Sequence, residues 1–416
     1  MKADRFLFLA LTRAGWGETA LGLRIAEELT AQGSSVSFLA HKSNSLLMAD
    51  TPFAREFISD EAGMLVRAYV DSLVKDERPT AIVLSDMATT QRFCSQANVD
   101  ASFLAQYGLP LLAIDTWDQA TTGATMDLFL GEPQALDLGL ARASRPLLPV
   151  PILHSAPRPG AYDCMPEPVR LTRRVRTHLR DNLGIGDSER LVLLCTATWQ
   201  HMRYRSRHGN RMAAALPLLL AEYVSRLGPS VHLVHVGPAA FPLQERLGER
   251  YHWLPPLQSL HFEELLGSSD LLVSANISAG TNLKAIASGV PTVVVHNSHE
   301  VEELFELESR LPQPPSDALR RWLVDTLPLY RFRLWPLGWF DFLAPVLKDN
   351  PFMRAVETVE LTDERAFVET CQQLLHDDTS RRSMLERQAA YVAGVRRLPR
   401  ASEVVRQYLA EGTIAA

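Results

Sequence analysis

The segment Leu271-Leu-Val-Ser-Ala-Asn-Ile-Ser-Ala-Gly-Thr-Asn-Leu-Lys-Ala-Ile-Ala-Ser-Gly-Val-Pro-Thr-Val-Val-Val295 contains a whole strand, turn, helix, strand unit. Leu271 to Ser274 is a short apolar run of the kind that is buried on both faces of a parallel sheet. The small residues Ser278-Ala-Gly-Thr281 form a turn, and a helix then begins. Such a turn leaves backbone N–H groups pointing out of a helix N-terminus, where a phosphate is favoured. Gly289-Val-Pro291 ends the helix, and Thr292 to Val295 reads as the next strand.

The same punctuation recurs in both directions. Upstream, Leu191 to Leu194 and Val231 to Val236 are further apolar strands separated by helical segments. At the N-terminus, Phe6 to Leu11 is a strand and Gly15-Trp-Gly-Glu18 a turn. An amphipathic helix comes next, with Leu21, Ile25 and Leu29 on one face, and Val36 to Ala40 is a second strand. Ala81 to Ser85 and Leu111 to Ile114 continue the alternation. A Pro-rich passage (Pro157, Pro159, Pro166, Pro168) reads as an interdomain linker. The expectation is an α/β protein of two doubly wound domains, residues 1–160 and 161–400, with a C-terminal helix over 401–416 that crosses back to the first. A chain of 416 residues also exceeds what one core usually serves.

Composition narrows the chemistry. With 42 basic and 48 acidic residues the net charge is −6, which argues against sequence-independent nucleic-acid binding. The four cysteines are far apart and show no C-x-x-C spacing, as expected of a chain in a reducing cytoplasm. No apolar run approaches the ~18–20 residues of a membrane span, and Phe6 to Leu11 is too short for a signal segment. There is no G-x-x-x-x-G-K-[ST] loop, no G-x-S-x-G elbow and no G-x-G-x-x-G fingerprint.

From about Trp253 to Glu300, including Leu254-Pro-Pro256, Ser268-Ser-Asp270 and the Gly289-Val-Pro291 step, the chain resembles the C-terminal half of GT-B glycosyltransferases. That resemblance implies two Rossmann-like domains facing a cleft, with a nucleotide sugar bound as substrate by the second. On it, the donor contacts fall to Thr198, Leu254, Asn276, Ser278, Ala279, Gly280, Thr281, Lys284, His299 and Glu300. They also fall to Arg203, Arg205 and Arg207 in the basic loop after the strand ending at Cys195. Two positions depart from the family pattern: Asn276 stands where His is frequent, and Lys284 where Glu commonly contacts the ribose. Lys284 reads either as a phosphate partner or as a surface lysine. His296, His299 and Glu300 come after the last donor-domain strand, where sugar hydroxyls are contacted. Their spacing is not that of a zincin, no metal is expected, and no D-x-D pair is present to hold one.

In the resembling family the acceptor lies in the N-terminal domain. Gly15, Trp16 and Gly17 come directly after the first strand, and the glycines permit close backbone approach. Glu18, in the first helical turn, is the candidate base that takes the acceptor's proton, although its charge also complements the helix macrodipole. His41, Asp86, Asp115 and Asp118 lie at other strand ends, and Asp115 is the second catalytic candidate. The expected activity is metal-independent sugar transfer from a nucleotide sugar to a small-molecule or glycan acceptor. The competing readings are a nucleotide-sugar 2-epimerase or hydrolase, and a non-catalytic ligand-binding protein.

One segment stands apart. Residues 312–352 carry Trp322, Tyr330, Phe332, Trp335, Trp339, Phe340 and Phe342, with Arg331 and Arg333 among them. It reads as a helical insertion packed between the domains or buried in a homodimer, or as a lid that stacks on a ring and sets an arginine on phosphate.

Overall fold

The buried apolar runs become the central strands of two all-parallel sheets. In the first, β1 (Arg5–Ala10), β2 (Ser35–His41), β3 (Ala54–Ile58), β4 (Ala81–Leu84), β5 (Leu111–Ile114), β6 (Ser144–Val150) and β7 (Ala161–Asp163) lie in the order β3-β2-β1-β4-β5-β6-β7. The second holds β8 (Arg190–Cys195), β9 (Val231–Val236), β10 (Tyr251–Leu254), β11 (Leu271–Ser274), β12 (Thr292–His296) and, after a two-stranded insertion, β15 (Glu357–Glu360). Its order is β10-β9-β8-β11-β12-β15. The protein is described from a computed structural model, which covers residues 4–13, 16–122, 126–127, 133–134, 138–150, 158–201, 207–311 and 313–412.

Both sheets have the doubly wound order, so each has a switch point where the chain reverses direction across the sheet: β1 beside β4, and β8 beside β11. Ligands of open α/β sheets bind outside the carboxyl ends of the strands at such points. The chain divides into two compact units. The first comprises Met1–Thr125, Gln134–Cys164 and Val395–Ala416, and the second comprises Met126–Pro133 and Met165–Gly394. The C-terminal helix Ala401–Ala410 therefore belongs to the first unit, where Ser402 N–H donates to Glu28 at 3.0 Å and Tyr408 OH to Pro146 O at 3.2 Å.

Alternation along the central strands builds a core on each face of the second sheet. Val192 and Leu194 pack with Leu216, Leu220 and Tyr223 of a long helix (Arg207–Ser225), while Leu191 and Leu193 pack with Leu265 and Leu266 of the helix Ser259–Ser268. The aromatic insertion joins the first of these cores. Trp322, Phe332 and Trp335 are buried in it, and the Trp322 indole donates to Ala215 O at 2.8 Å. These rings are therefore packed within one chain. All four cysteines are free thiols, and no helix among the described residues is long and apolar enough to cross a membrane.

At the amino ends of β8 and β11, Asp270 ties the second sheet to its helices. Its carboxylate accepts from Arg176 at 2.7 Å, from Arg180 at 2.9 Å and from Leu191 N–H at 2.8 Å, and its carbonyl accepts from Arg381 at 2.8 Å. The Arg180 side chain is only 4% exposed, so removing the carboxylate strands a buried guanidinium. Asp270→Ala should cost about 3–5 kcal/mol of stability, read as a lowered midpoint in urea unfolding.

Candidate functional site

The carboxyl edge of the second sheet is formed by the segments into which its strands run. After β8, Thr196 Oγ1 lies 2.9 Å from His201 Nε2 and 2.8 Å from His235 Nε2, and His235 Nδ1 lies 3.1 Å from Tyr251 OH. Burial pushes the His235 imidazole down to about 3, so it is neutral and its tautomer is set by this chain of partners. Gly237, after β9, is required here. A Cβ at that position would lie 2.1 Å from Thr196 Oγ1 and 2.7 Å from His235 Nε2.

After β11 the chain makes the small-residue turn and enters the helix Gly280–Ala287. Its N-cap residue is Ala279, which offers no side-chain acceptor, so the first N–H groups of the helix lack the usual cap. Gly280 is exposed, and no described residue lies within 4 Å of where its Cβ would be. The turn is held from beneath: Asn282 Nδ2 donates to Asn276 O at 2.7 Å and Ile277 O at 3.1 Å. Asn276 is 7% exposed, and its Oδ1 is buried without a hydrogen-bond partner among the described residues. Burying such an acceptor unpaired costs about 1–3 kcal/mol, so the atom marks a place where a donor is missing.

The remaining donor candidates are distributed differently from the sequence-based expectation. Lys284 Nζ lies 2.7 Å from Glu263 Oε1, so its ammonium is engaged by a carboxylate rather than left for a phosphate. Glu300 is exposed and lies 3.4 Å from Arg331 Nε, while the His299 main chain is bonded by the Asn297 amide. Thr198 is exposed at the start of the turn Thr198–His201, and Leu254 is partly buried at the end of β10. Arg203, Arg205 and Gly15 lie outside the described residues, as does the side chain of Arg207. Spacing alone did not single out Thr196, His201, His235 or Glu360. Glu360 accepts from Ser298 N–H and Oγ and lies 3.3 Å from His296 Nε2.

At the switch point of the first sheet the carboxyls gather. Glu18 sits in the first turn of the helix Gly17–Ala31, and burial raises its pKa. Trp16, its N-cap residue, is anchored through its indole to Ser43 O at 3.1 Å and provides no side-chain cap. Gly17 is exposed, with open space where a Cβ would be. Asp86 lies just after β4 and is 4% exposed. Burial first, and then the Glu18 charge, push it up to about 7. Its Oδ1 caps the next helix through Thr89 N–H at 2.7 Å, and Oδ2 accepts from Thr116 Oγ1 at 3.2 Å. Asp115, after β5, is differently occupied. Its two oxygens accept from Gln119 and Ala120 N–H at 2.9 and 2.8 Å, so it shapes the adjoining turn. Glu18 and Asp86 thus titrate as a pair that disfavours the doubly ionised state. Among the described residues no group of three His, Cys, Asp or Glu is arranged to hold a metal ion.

The raised Asp86 pKa fixes the sign of a pH effect. Between the unfolded value near 4 and the folded value of about 7, the folded chain holds the extra proton, so this contribution to stability is lost as pH rises. Wild-type urea midpoints should fall relative to those of Asp86→Asn across that window, since Asn keeps the helix cap without titrating.

A family model described as "Family of unknown function (DUF6365)" matches residues 25–413. No curated protein matches the sequence. Among solved structures, the S. aureus MnaA–UDP co-structure superposes with a TM-score of 0.56 at 12% identity, over 98% of this chain and 96% of that one. UDP-GlcNAc 2-epimerase from Neisseria meningitidis bound to UDP-GlcNAc gives 0.52 at 14% identity, over 98% and 100%. A glycosyltransferase from Rickettsia africae gives 0.52 at 12%, over 99% and 98%. At such identities the likeness is one of fold: the chain has the two-domain GT-B architecture shared by glycosyltransferases and UDP-sugar epimerases.

Proposed function

We propose a nucleotide-sugar-dependent transferase activity for this chain, which belongs to the DUF6365 family by the match over residues 25–413. The observation that carries the reading is the uncapped helix start at Gly280 beside the buried, unpartnered Asn276 oxygen, at the carboxyl edge of the second sheet. The donor's diphosphate would accept from the N–H groups of Ser278, Gly280 and Thr281, that of Ala279 being bonded to Asn276 O at 3.2 Å, and the Asn276 amide would face a sugar or ribose hydroxyl able to donate to its oxygen. The likeness of fold to proteins solved with UDP and with UDP-GlcNAc supports a nucleotide of this class.

In the transfer step, Glu18 as a carboxylate accepts the proton of the acceptor hydroxyl while that oxygen bonds to the anomeric carbon. The bond from that carbon to the diphosphate oxygen breaks, and the diphosphate leaves with the electron pair. The helix N–H groups stabilise the charge that develops on it. Asp86, carrying the shared proton, allows Glu18 to ionise. We read the chemistry as metal-independent, since the chain lacks a D-x-D pair. One observation favours a second reading. A direct displacement needs one base, whereas two neighbouring carboxyls that disfavour double ionisation can both donate and accept a proton, as an epimerase or hydrolase requires.

A thermal-shift screen against nucleoside diphosphates tests the binding step, since a ligand at ~100 times its Kd adds roughly 2.7 kcal/mol of apparent stability. Thr281→Trp should abolish the shift by filling the helix entrance. Glu18→Gln should keep the shift and lower turnover by on the order of 10²–10⁴. Full activity in Glu18→Gln removes the base assignment. Release of free nucleoside diphosphate from donor alone, as fast as any transfer, decides for the hydrolase or epimerase reading.

A further inference from the structure

The aromatic insertion is stitched onto the carboxyl edge of the second sheet by main-chain hydrogen bonds. Its short strands β13 (Phe332–Leu334) and β14 (Gly338–Trp339) are antiparallel, and the chain around β13 runs across the ends of both β11 and β12. Trp335 N–H donates to Ala275 O at 3.0 Å and Ile277 N–H to Arg333 O at 3.1 Å, so the insertion pairs with the segment after β11. Phe332 and Asn297 exchange bonds of 2.8 and 3.0 Å, and Asn297 Nδ2 donates to Tyr330 O at 2.7 Å, so it also pairs with the segment after β12. Gln200, in the turn after β8, donates to Trp335 O at 3.1 Å. An element tied at this many points to three loops is a fixed wall of the site.

The two arginines of this wall are in different states. Arg331 is neutralised, at 2.6 Å from Asp341 and 3.4 Å from Glu300. Arg333 makes no ion pair within 4 Å among the described residues. Its guanidinium lies 4.5 Å from the centre of the Phe340 ring, and its Nε is buried with no hydrogen-bond partner. Glu360 is the carboxylate whose field reaches it, but that group is already taken by Ser298 and His296. Beside it, His296 Nδ1 is likewise buried without a partner. An unmet nitrogen on the cation itself and another beside it, with the Asn276 oxygen across the same edge, describe a place built for a polar ligand. A planar guanidinium backed by an aromatic ring and lacking a carboxylate partner suits the forked recognition of an oxyanion.

We propose that Arg333 recognises an oxyanion of the bound substrate, either a phosphate of the nucleotide or a carboxylate on its sugar. The assignment rests on the reading that this edge holds a nucleotide sugar. The helix start at Gly280 comes after β11, whereas His296 and Glu360, beside the Arg333 guanidinium, end the next two strands at spacings of ~4.8 Å. Arg333 is therefore placed beside the proposed diphosphate position, on the β12 and β15 side of the sheet edge.

Calorimetric titration with UDP, UDP-glucose and UDP-glucuronate, on wild type, Arg333→Gln and Arg331→Gln, tests this. Unchanged urea midpoints establish that each variant is folded. Arg333→Gln should weaken binding roughly tenfold to a hundredfold, and Arg331→Gln should not. Equal weakening for all three ligands identifies a phosphate as the partner, and weakening for UDP-glucuronate alone identifies a sugar carboxylate. Unchanged affinities in Arg333→Gln overturn the assignment and leave the nucleotide reading standing. Wild type that binds none of the three overturns the nucleotide reading. In that case the Arg333 assignment is decided by phenylglyoxal labelling with peptide mapping. Protection of residue 333 by inorganic pyrophosphate or free glucuronate supports it, and equal labelling with and without both anions refutes it.

Discussion

A helix that starts without a cap leaves donors that must be met by water or by a ligand, and the organisation of the second domain depends on one such start. Ala279 occupies the position where Ser, Thr, Asp or Asn would normally close the first turn. The chain has polar residues nearby but uses them otherwise. Asn282 turns its amide back under the loop, to the carbonyls of Asn276 and Ile277, so it fixes the loop's shape without occupying its mouth. The free N–H groups are therefore held rigidly and left open, which is how donors stabilise developing charge without reorganising. An anion bound at this start recovers the stability that the missing cap forgoes.

The first domain shows the same exchange with opposite charge. Placing Glu18 and Asp86 near one another in partly buried surroundings disfavours their ionised forms, which a design for stability alone would avoid. The conflict is contained because Asp86 is bonded at both oxygens, to Thr89 N–H and Thr116 Oγ1. Asp115, a third carboxyl at the same edge, is relieved by two main-chain donors instead. Of three acids with similar sequence settings, Asp115 is thereby committed to holding a turn, while Glu18 and Asp86 stay near enough for the charge of Glu18 to raise the pKa of Asp86.

How much of this was legible beforehand depended on what each feature is made of. The central strands were readable because burial on both faces demands unbroken apolar runs such as Leu191 to Leu194 and Leu111 to Ile114. The edge strands Ala54–Ile58 and Glu357–Glu360 were not. With exposed or half-exposed faces they carry Arg55, Glu56 and Glu360 and lose that signature. The turn over Ser278 to Thr281 was readable because small residues before a helix have few other uses. The Lys284 partner, Glu263, lies on a different helix, and no local spacing announces it. Likewise Glu18 and Asp86 are brought together by the pairing of β1 with β4, a consequence of strand order rather than of any motif.

The insertion shows the limit most sharply. Its aromatic composition is equally that of a core, a dimer face or a lid, because all three bury rings. What separates them is main-chain bonding: Phe332 with Asn297, Trp335 with Ala275 and Ile277 with Arg333. Backbone pairing leaves no periodic trace when the partners are loops, so the sequence is silent about it. Once the backbone is fixed there, the fate of each side chain is decided by its neighbours. Trp335 is driven into the core and bonds Met212 O at 2.9 Å, and both arginines face the Phe340 ring, but among the described residues only Arg331 finds carboxylates within ion-pair distance. The inequality between two arginines two residues apart is thus a product of docking geometry. It is the kind of difference by which a shared fold acquires a substrate preference of its own.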